Sequence, residues 1–333
     1  MAGRLDAKMV IGVSSRALFD MTAENEIFIN EGVEAYCEYQ VAHEQEILKP
    51  GPGFRLIQSL LRLNDCVAGK SGSRQKPVEV IVMSRNSPDT SLRIFNAIRH
   101  YNLPITRAVL ASGASLAPYL TAFRTDLFLS AYEDDVQCAI DSGIAAGIIC
   151  TEAADKGSGG HNRGTAEIKS FRENDQIRIA FDGDAVLFSD ESQRIFDEKG
   201  LGAFEENESI HAKSPMEEGP FAGFLKKLSR LQDEIGRDQC PIRTALVTAR
   251  CAPAHERVIR TLRSWNVRVD EAFFLGGLDK STFLKAFQAQ IFFDDQSVNT
   301  ESAANVVPAA RVPYRRKGKR ELYQDEISAY RTG

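Results

Sequence analysis

The chain aligns with itself. Laying position 14 on position 182 superposes Val10–Asn64 on Arg178–Gln232 without a gap. Ala17/Ala185, Ile27/Ile195, Phe28/Phe196, Gly32/Gly200, Ala35/Ala203, His43/His211, Gly51/Gly219, Pro52/Pro220, Arg62/Arg230 and Leu63/Leu231 then coincide. With small gaps, Val82–Arg85 falls on Val247–Arg250, Ala108–Gly113 on Ala272–Gly277, and Leu127–Ser130 on Ile291–Asp294. Self-similarity at one spacing marks a repeated structural unit. The unit itself is α/β. Apolar runs at about 8–14, 78–83, 107–111, 126–130 and 145–150 read as strands. Helical stretches at 22–49, 54–63, 88–101, 115–123 and 133–143 separate them. That alternation predicts a doubly wound parallel sheet, so the fold expected is two tandem α/β units.

Composition narrows the function classes. The 333 residues suffice for one large or two modest cores. A net charge of −5 gives no general attraction for nucleic acid. The absence of a long apolar run or a signal-peptide pattern predicts a protein that does not enter the membrane and resides in the cytosol. The six cysteines form no close pair, which argues against a zinc site or a disulfide framework. The glycine-rich run 156–164 lacks the Gly-Lys-Ser/Thr ending of a phosphate loop and reads as a connector. Residues 67–77 read as a Gly/Ser/Lys/Arg loop, and Arg315–Arg320 as a short basic, solvated tail.

The polar residues at the strand ends of the second half carry the chemistry. Ile177–Phe181 is an apolar strand followed by Asp182-Gly183-Asp184, and open parallel sheets hold ligands at the carboxyl ends of their strands. Two carboxylates there suit attack on phosphorus and proton transfer beside a hard cation, although Asp-Gly-Asp is equally an ordinary turn. The strand Arg243–Thr248 ends in a hydroxyl, Lys280 opens a helix, and Gln290–Asp294 ends in a second acidic pair with Asp295.

The order Asp-x-Asp, Thr, Lys, Asp-Asp resembles the haloacid-dehalogenase-like (HAD) phosphatase superfamily. The flanking words Phe181-Asp-Gly-Asp-Ala-Val-Leu-Phe-Ser-Asp-Glu191, Leu246-Val-Thr-Ala-Arg250 and Phe292-Phe-Asp-Asp-Gln296 resemble, more narrowly, the cytosolic 5′-nucleotidase I family. The resemblance continues through Val13-Ser-Ser-Arg-Ala-Leu-Phe19. It implies a phosphoric monoester hydrolase acting on nucleoside 5′-monophosphates, AMP favoured. Asp182 would be the nucleophile, forming an aspartyl-phosphate, and Asp184 the acid and base. It implies Mg²⁺ held by the Asp182 carboxylate, the Asp184 backbone carbonyl and the Asp294/Asp295 pair, with Asp295 the direct ligand. Thr248, the neighbouring N–H groups of Ala249 and Arg250, and Lys280 would hold the phosphoryl oxygens. Another small phosphomonoester as substrate, a phosphotransferase, or a nucleotide sensor without turnover are the alternatives.

The resemblance divides the chain into a HAD-like unit over 1–165 with a cap-like segment at about 20–50, a catalytic HAD-like unit over 166–312, and a tail over 313–333. The catalytic cap at about 189–218 carries Phe196, Phe204, His211 and Lys213, from which an aromatic ring would meet the base. Across the repeat, Ser14 stands opposite Asp182, Arg16 opposite Asp184, Met83 opposite Thr248, Leu116 opposite Lys280, Ser130 opposite Asp294 and Ala131 opposite Asp295. The first unit is therefore a degenerate copy without the metal-binding carboxylates. Ser14, Arg16 and Arg85 would form a basic anion site there for a regulatory nucleotide, ADP or ATP, unless that half serves only as a packing partner. Assembly into a homo-oligomer is left open.

Overall fold

The computed structural model describes residues 8–71, 76–151, 176–236 and 238–314. The glycine-rich run 156–164, the boundary between 165 and 166, and the basic stretch 315–320 lie outside the described residues. From the N-terminus the elements are β1 (Met9–Val13), α1 (Ser15–Leu18), β2 (Phe19–Asp20), α2 (Thr22–Ala42), β3 (Lys49–Pro50), α3 (Phe54–Ser71), β4 (Val78–Ser84) and α4 (Leu92–His100). Then come β5 (Arg107–Leu110), α5 (Ala117–Ala122), β6 (Leu127–Ser130), α6 (Glu133–Asp141) and β7 (Ala145–Ile149). The second series is β8 (Ile177–Phe181), α7 (Glu191–Ile210), α8 (Ala222–Ile235), β9 (Ile242–Thr248), α9 (His255–Ser264), β10 (Glu271–Phe274), α10 (Ser281–Phe287), β11 (Ile291–Asp294), α11 (Ser297–Ala304) and β12 (Ala309–Arg311).

Ten of these strands form one sheet, in the order β10-β9-β8-β11-β12-β7-β6-β1-β4-β5. From each outer edge the strands of a series read third, second, first, fourth, fifth, leaving aside the separate β2–β3 pair. The described ladders of this sheet are parallel except at the centre. There β12 and β7 meet antiparallel, Ala310 opposite Ile149. The seam is tight: a Cβ on Gly147 would sit 2.9 Å from the Ala310 Cβ and 3.1 Å from the Phe293 ring. A contiguous apolar core spans both series, with stacked Phe181 and Phe293 rings 5.7 Å apart beside Phe221 and Phe224.

The two series share local detail. α2 and α7 are both broken at a glycine with positive φ, Gly32 (φ 91°) and Gly200 (φ 79°), a conformation costly for other residues. Each break brings two rings edge to face, Phe28 with Tyr36 at 5.9 Å and Phe196 with Phe204 at 6.3 Å. The repeated Gly-Pro has a steric reason. A Cβ on Gly51 would lie 2.7 Å from the Phe19 carbonyl carbon, and one on Gly219 2.4 Å from the Phe188 oxygen. Two helix ends lie well away from the sequence expectation: α2 stops at Ala42, short of 49, where Lys49 is already in β3, and α3 continues to Ser71, into the stretch expected as a loop. Leu56, Ile57, Leu60, Leu61 and Leu63 are buried and anchor its face, and extending an anchored helix costs little per residue.

Candidate active site

β8 is buried in the middle of its series, between β9 and β11, and its ladder runs one residue past its end: the Asp182 N–H donates to the Phe293 carbonyl at 2.8 Å. That bond fixes Asp182 at the strand tip. The chain then makes a wide turn over Gly183–Leu187, with Ala185 at φ 59° and the Phe188 N–H closing on the Gly183 carbonyl. β11 delivers Asp294 and Asp295 beside Asp182, and the head of α10 delivers Lys280. The Lys280 ammonium donates to Asp182 Oδ1 at 2.7 Å and to Asp294 Oδ2 at 2.7 Å. All four side chains are buried.

Asp182, Asp294 and Asp295 can bring one oxygen each within 4.8 Å of one another. Three carboxylates and no softer donor suit a hard divalent cation. Burial, reinforced by Asp294 and Asp295 and opposed by Lys280, pushes the Asp182 carboxyl well above the usual carboxylate range. Burial likewise lifts Asp295 to about 6, against the pull of a hydrogen bond from Tyr314. For Lys280 burial acts downward, but the Asp182 and Asp294 charges more than offset it and hold the amine protonated. The two acids of the second pair differ in what remains free. Asp294 accepts from Lys280, from the Gln296 N–H at 2.9 Å and from Asn299 at 3.1 and 3.2 Å. Asp295 accepts from the Tyr314 hydroxyl at 2.6 Å through Oδ2.

A second group forms around Asp184. β9 ends at the buried Thr248, whose Oγ1 accepts the Arg250 N–H at 3.2 Å and faces the Gly183 turn. The Arg250 guanidinium holds Asp184 bidentately, Nε to Oδ2 at 2.8 Å and Nη2 to Oδ1 at 2.6 Å. A family model for 5′-nucleotidase matches residues 1–319. The chain belongs to the 5′-nucleotidase family. It is 37% identical over 314 residues to human "Cytosolic 5′-nucleotidase 1B", a match covering 93% of this chain and 49% of that protein. It thus spans about half the length of the curated relative it matches. Among solved structures, a chain of the "Structure of Pnkp1/Rnl/Hen1 complex" aligns with 92% of this chain and 97% of its own length, at 12% identity and a TM-score of 0.29, too low to inform fold or function. No helix among the described residues is long and apolar enough to cross a membrane.

Of the expected nucleotidase residues, Asp182, Lys280, Asp294 and Asp295 converge, and Asp184, Thr248 and Arg250 gather beside them. Ala249 is exposed at the β9 end. In α7, Phe204 lies 5.3 Å from the Arg250 guanidinium while Phe196 packs on Phe204 and is half exposed. His211 and Lys213 are exposed, and His211 Nδ1 is hydrogen-bonded to the carbonyl of Asn207. In the first half Ser14 caps α1 by accepting the Ala17 N–H, and Arg16 lies over the Tyr132 ring at 5.2 Å. Arg85 is ion-paired with Asp135 at 2.6 Å, so the anion site expected there is less basic than the aligned residues imply. Glu208, Arg257, Tyr314 and Asn299 also join these groups, and no sequence motif marks them. The repeat did hold one signal, since Gln40 stands opposite Glu208.

Proposed function

We propose that this chain hydrolyses nucleoside 5′-monophosphates, AMP foremost, by phosphoryl transfer to Asp182. The observation that carries the reading is the buried convergence of Asp182, Lys280, Asp294 and Asp295 at the ends of β8 and β11 in a chain of the 5′-nucleotidase family. An Asp182 oxygen attacks phosphorus as the bond to the ribose 5′-oxygen breaks, and Asp184 delivers the proton that oxygen requires. Asp184 then takes a proton from the water that attacks the aspartyl-phosphate, which restores Asp182 and releases phosphate. Lys280, the Thr248 hydroxyl and the backbone N–H groups that follow it, at Ala249 and Arg250, hold the phosphoryl oxygens, where charge develops. Mg²⁺ fits this donor set: the Asp182 and Asp295 carboxylates and the Asp184 carbonyl would hold it. Asp294, already engaged by Lys280, Gln296 and Asn299, braces the site. When bound, the cation would neutralise phosphate charge. The cap over about 189–218 excludes water, with Phe204 the ring best placed to meet the base.

The shared strand order, the twin glycine breaks and the twin aromatic pairs support reading the chain as two HAD-like units, 1–165 and 166–312, the first without catalytic acids. Its strand-end crevice at Ser14, Arg16 and Arg85 is the place for a nucleotide effector, ADP or ATP, whose phosphate must compete with Asp135 for Arg85. Phosphate release from a panel of nucleotides and sugar phosphates, with Mg²⁺ or EDTA, tests the main reading. AMP turnover lost in EDTA supports it, and preference for a sugar phosphate refutes the substrate class. Activation by ADP or ATP that survives unchanged in both Arg16→Ala and Arg85→Ala would place the effector elsewhere.

A further inference from the structure

Among the described residues of the second half, the proposed reaction leaves one buried carboxylate without a task. Glu208 lies near the end of the cap helix α7, a helix in which, apart from it, only Ser192 is buried. An ionised carboxylate in the interior is costly unless paired, and Glu208 has three donors. Arg257 Nη1 reaches it at 2.9 Å, Ser192 Oγ at 2.8 Å, and Arg250 donates to its second oxygen. The same Arg250 guanidinium holds Asp184 at 2.8 and 2.6 Å. One side chain of the core therefore bridges a carboxylate of the cap and the carboxylate assigned to proton transfer.

The first half supplies an internal comparison. Gln40 occupies the place of Glu208, Glu24 that of Ser192, and Arg93 that of Arg257. Arg93 pairs with Glu24 and donates to Gln40 at 3.5 Å. The same three positions thus tie α2 to α4 as they tie α7 to α9, and the tie needs an acid, but not at the Glu208 position. What differs is the onward link. Arg85, in the place of Arg250, turns to Asp135, and the place of Asp184 is held by Arg16. The acid stands at the Glu208 position only in the half that has a strand-end acid to be held.

We infer that Glu208 is a positioning residue for phosphoryl transfer: seated with the cap, it fixes Arg250, and through Arg250 the Asp184 carboxylate. This rests on the reading of Asp184 as the proton carrier. Glu208 touches no reacting atom. Its loss therefore matters in proportion to how much the leaving group needs a proton. A nucleoside 5′-oxygen needs one, whereas 4-nitrophenolate leaves without it.

The test compares kcat/KM for AMP and for 4-nitrophenyl phosphate in wild type, Glu208→Gln, and Glu208→Gln combined with Ser192→Glu. The double variant reproduces the Glu24/Gln40 arrangement of the first half, keeping an acid for Arg257 while removing the one that faces Arg250. Glu208→Gln is expected to lower kcat/KM for AMP about a hundredfold, the usual cost of a misplacement of about 1 Å. The aryl ester is expected to lose less than about threefold, since the general-acid contribution it forgoes is the one at stake. The double variant is expected to regain the wild-type Tm while AMP turnover stays low. Equal losses on the two esters, or recovery of AMP turnover together with Tm, would overturn the assignment and leave Glu208 a purely structural tie. Should wild type ignore AMP but hydrolyse another alkyl phosphate, the nucleotide reading fails. The same alkyl-against-aryl comparison then still decides the role of Glu208.

Discussion

Lys280→Met should make the stability of the metal-free protein depend more steeply on pH. The ammonium lies 2.7 Å from both Asp182 and Asp294, and its side chain is only 6% exposed. Removing one partner of such a buried group leaves charge uncompensated, at a cost of about 3–5 kcal/mol. In a chain of this size each kcal/mol moves Tm by about 2 °C, so the loss is roughly 5–10 °C where the acids are ionised. The sign follows from the shifts. Asp182 titrates well above the usual carboxylate range and Asp295 at about 6, both raised by burial. A carboxyl whose folded pKa is raised stabilises the fold below its unfolded pKa, and that contribution is lost as pH rises through the folded pKa. Lys280 is what limits the loss in wild type. The variant should therefore lie within about 3 °C of wild type near pH 4.5, where protons replace the missing charge, and fall by the full amount at pH 8. Thermal denaturation in EDTA at the two pH values measures this. An equal loss at both, or none at pH 8, would refute the electrostatic account of the cluster.

Further expectations follow from single contacts. Gly219→Ala should destabilise the protein by several kcal/mol, because its Cβ would fall 2.4 and 2.5 Å from two backbone oxygens. Gly202→Ala, where nothing lies within 4 Å and φ is not positive, should be neutral or stabilising by about 0.5–1 kcal/mol. Chemical denaturation of the pair separates the two outcomes. Tyr314→Phe should raise the Mg²⁺ concentration for half-maximal activity about tenfold or more, the usual effect of losing a partner behind a ligand, with turnover regained at saturating Mg²⁺. Ser14→Ala, in the half that lacks counterparts of Asp182 and Asp184, should leave the initial rate of phosphate release within about twofold of wild type, because loss of a helix cap acts on stability.

The sequence carried the local part of this fold well. Ile177–Phe181 is a strand with those bounds, because a short apolar run ended by Asp-Gly has few other fates. The residues that converge at the candidate site were legible for a related reason: each sits at the end of such a strand or the head of a helix, where topology alone brings it to one edge. The antiparallel seam between β7 and β12 was not legible, since pattern within a strand says nothing about which strand ends a sheet or meets another. Glu208 was hidden for a different reason. It is a buried acid in a polar helix, and its partners Arg250 and Arg257 lie 42 and 49 residues away. Tyr314 reaches back 19 residues to Asp295 from beyond the last strand, where the sequence suggested only the start of a tail. The paired Gly-Pro was visible as a repeat, while its cause, a close pass of neighbouring backbone, needed coordinates.

The central claim is that Asp182 receives the phosphoryl group. Rapid acid quenching during turnover of AMP, followed by borohydride reduction and peptide mass spectrometry, reads this out directly. The account predicts conversion of Asp182 alone to the reduced residue. It also predicts that Asp182→Asn gives no labelled peptide and less than about a hundredth of wild-type phosphate release. Phosphate release by Asp182→Asn near the wild-type rate, or turnover with the label on another residue, would contradict it.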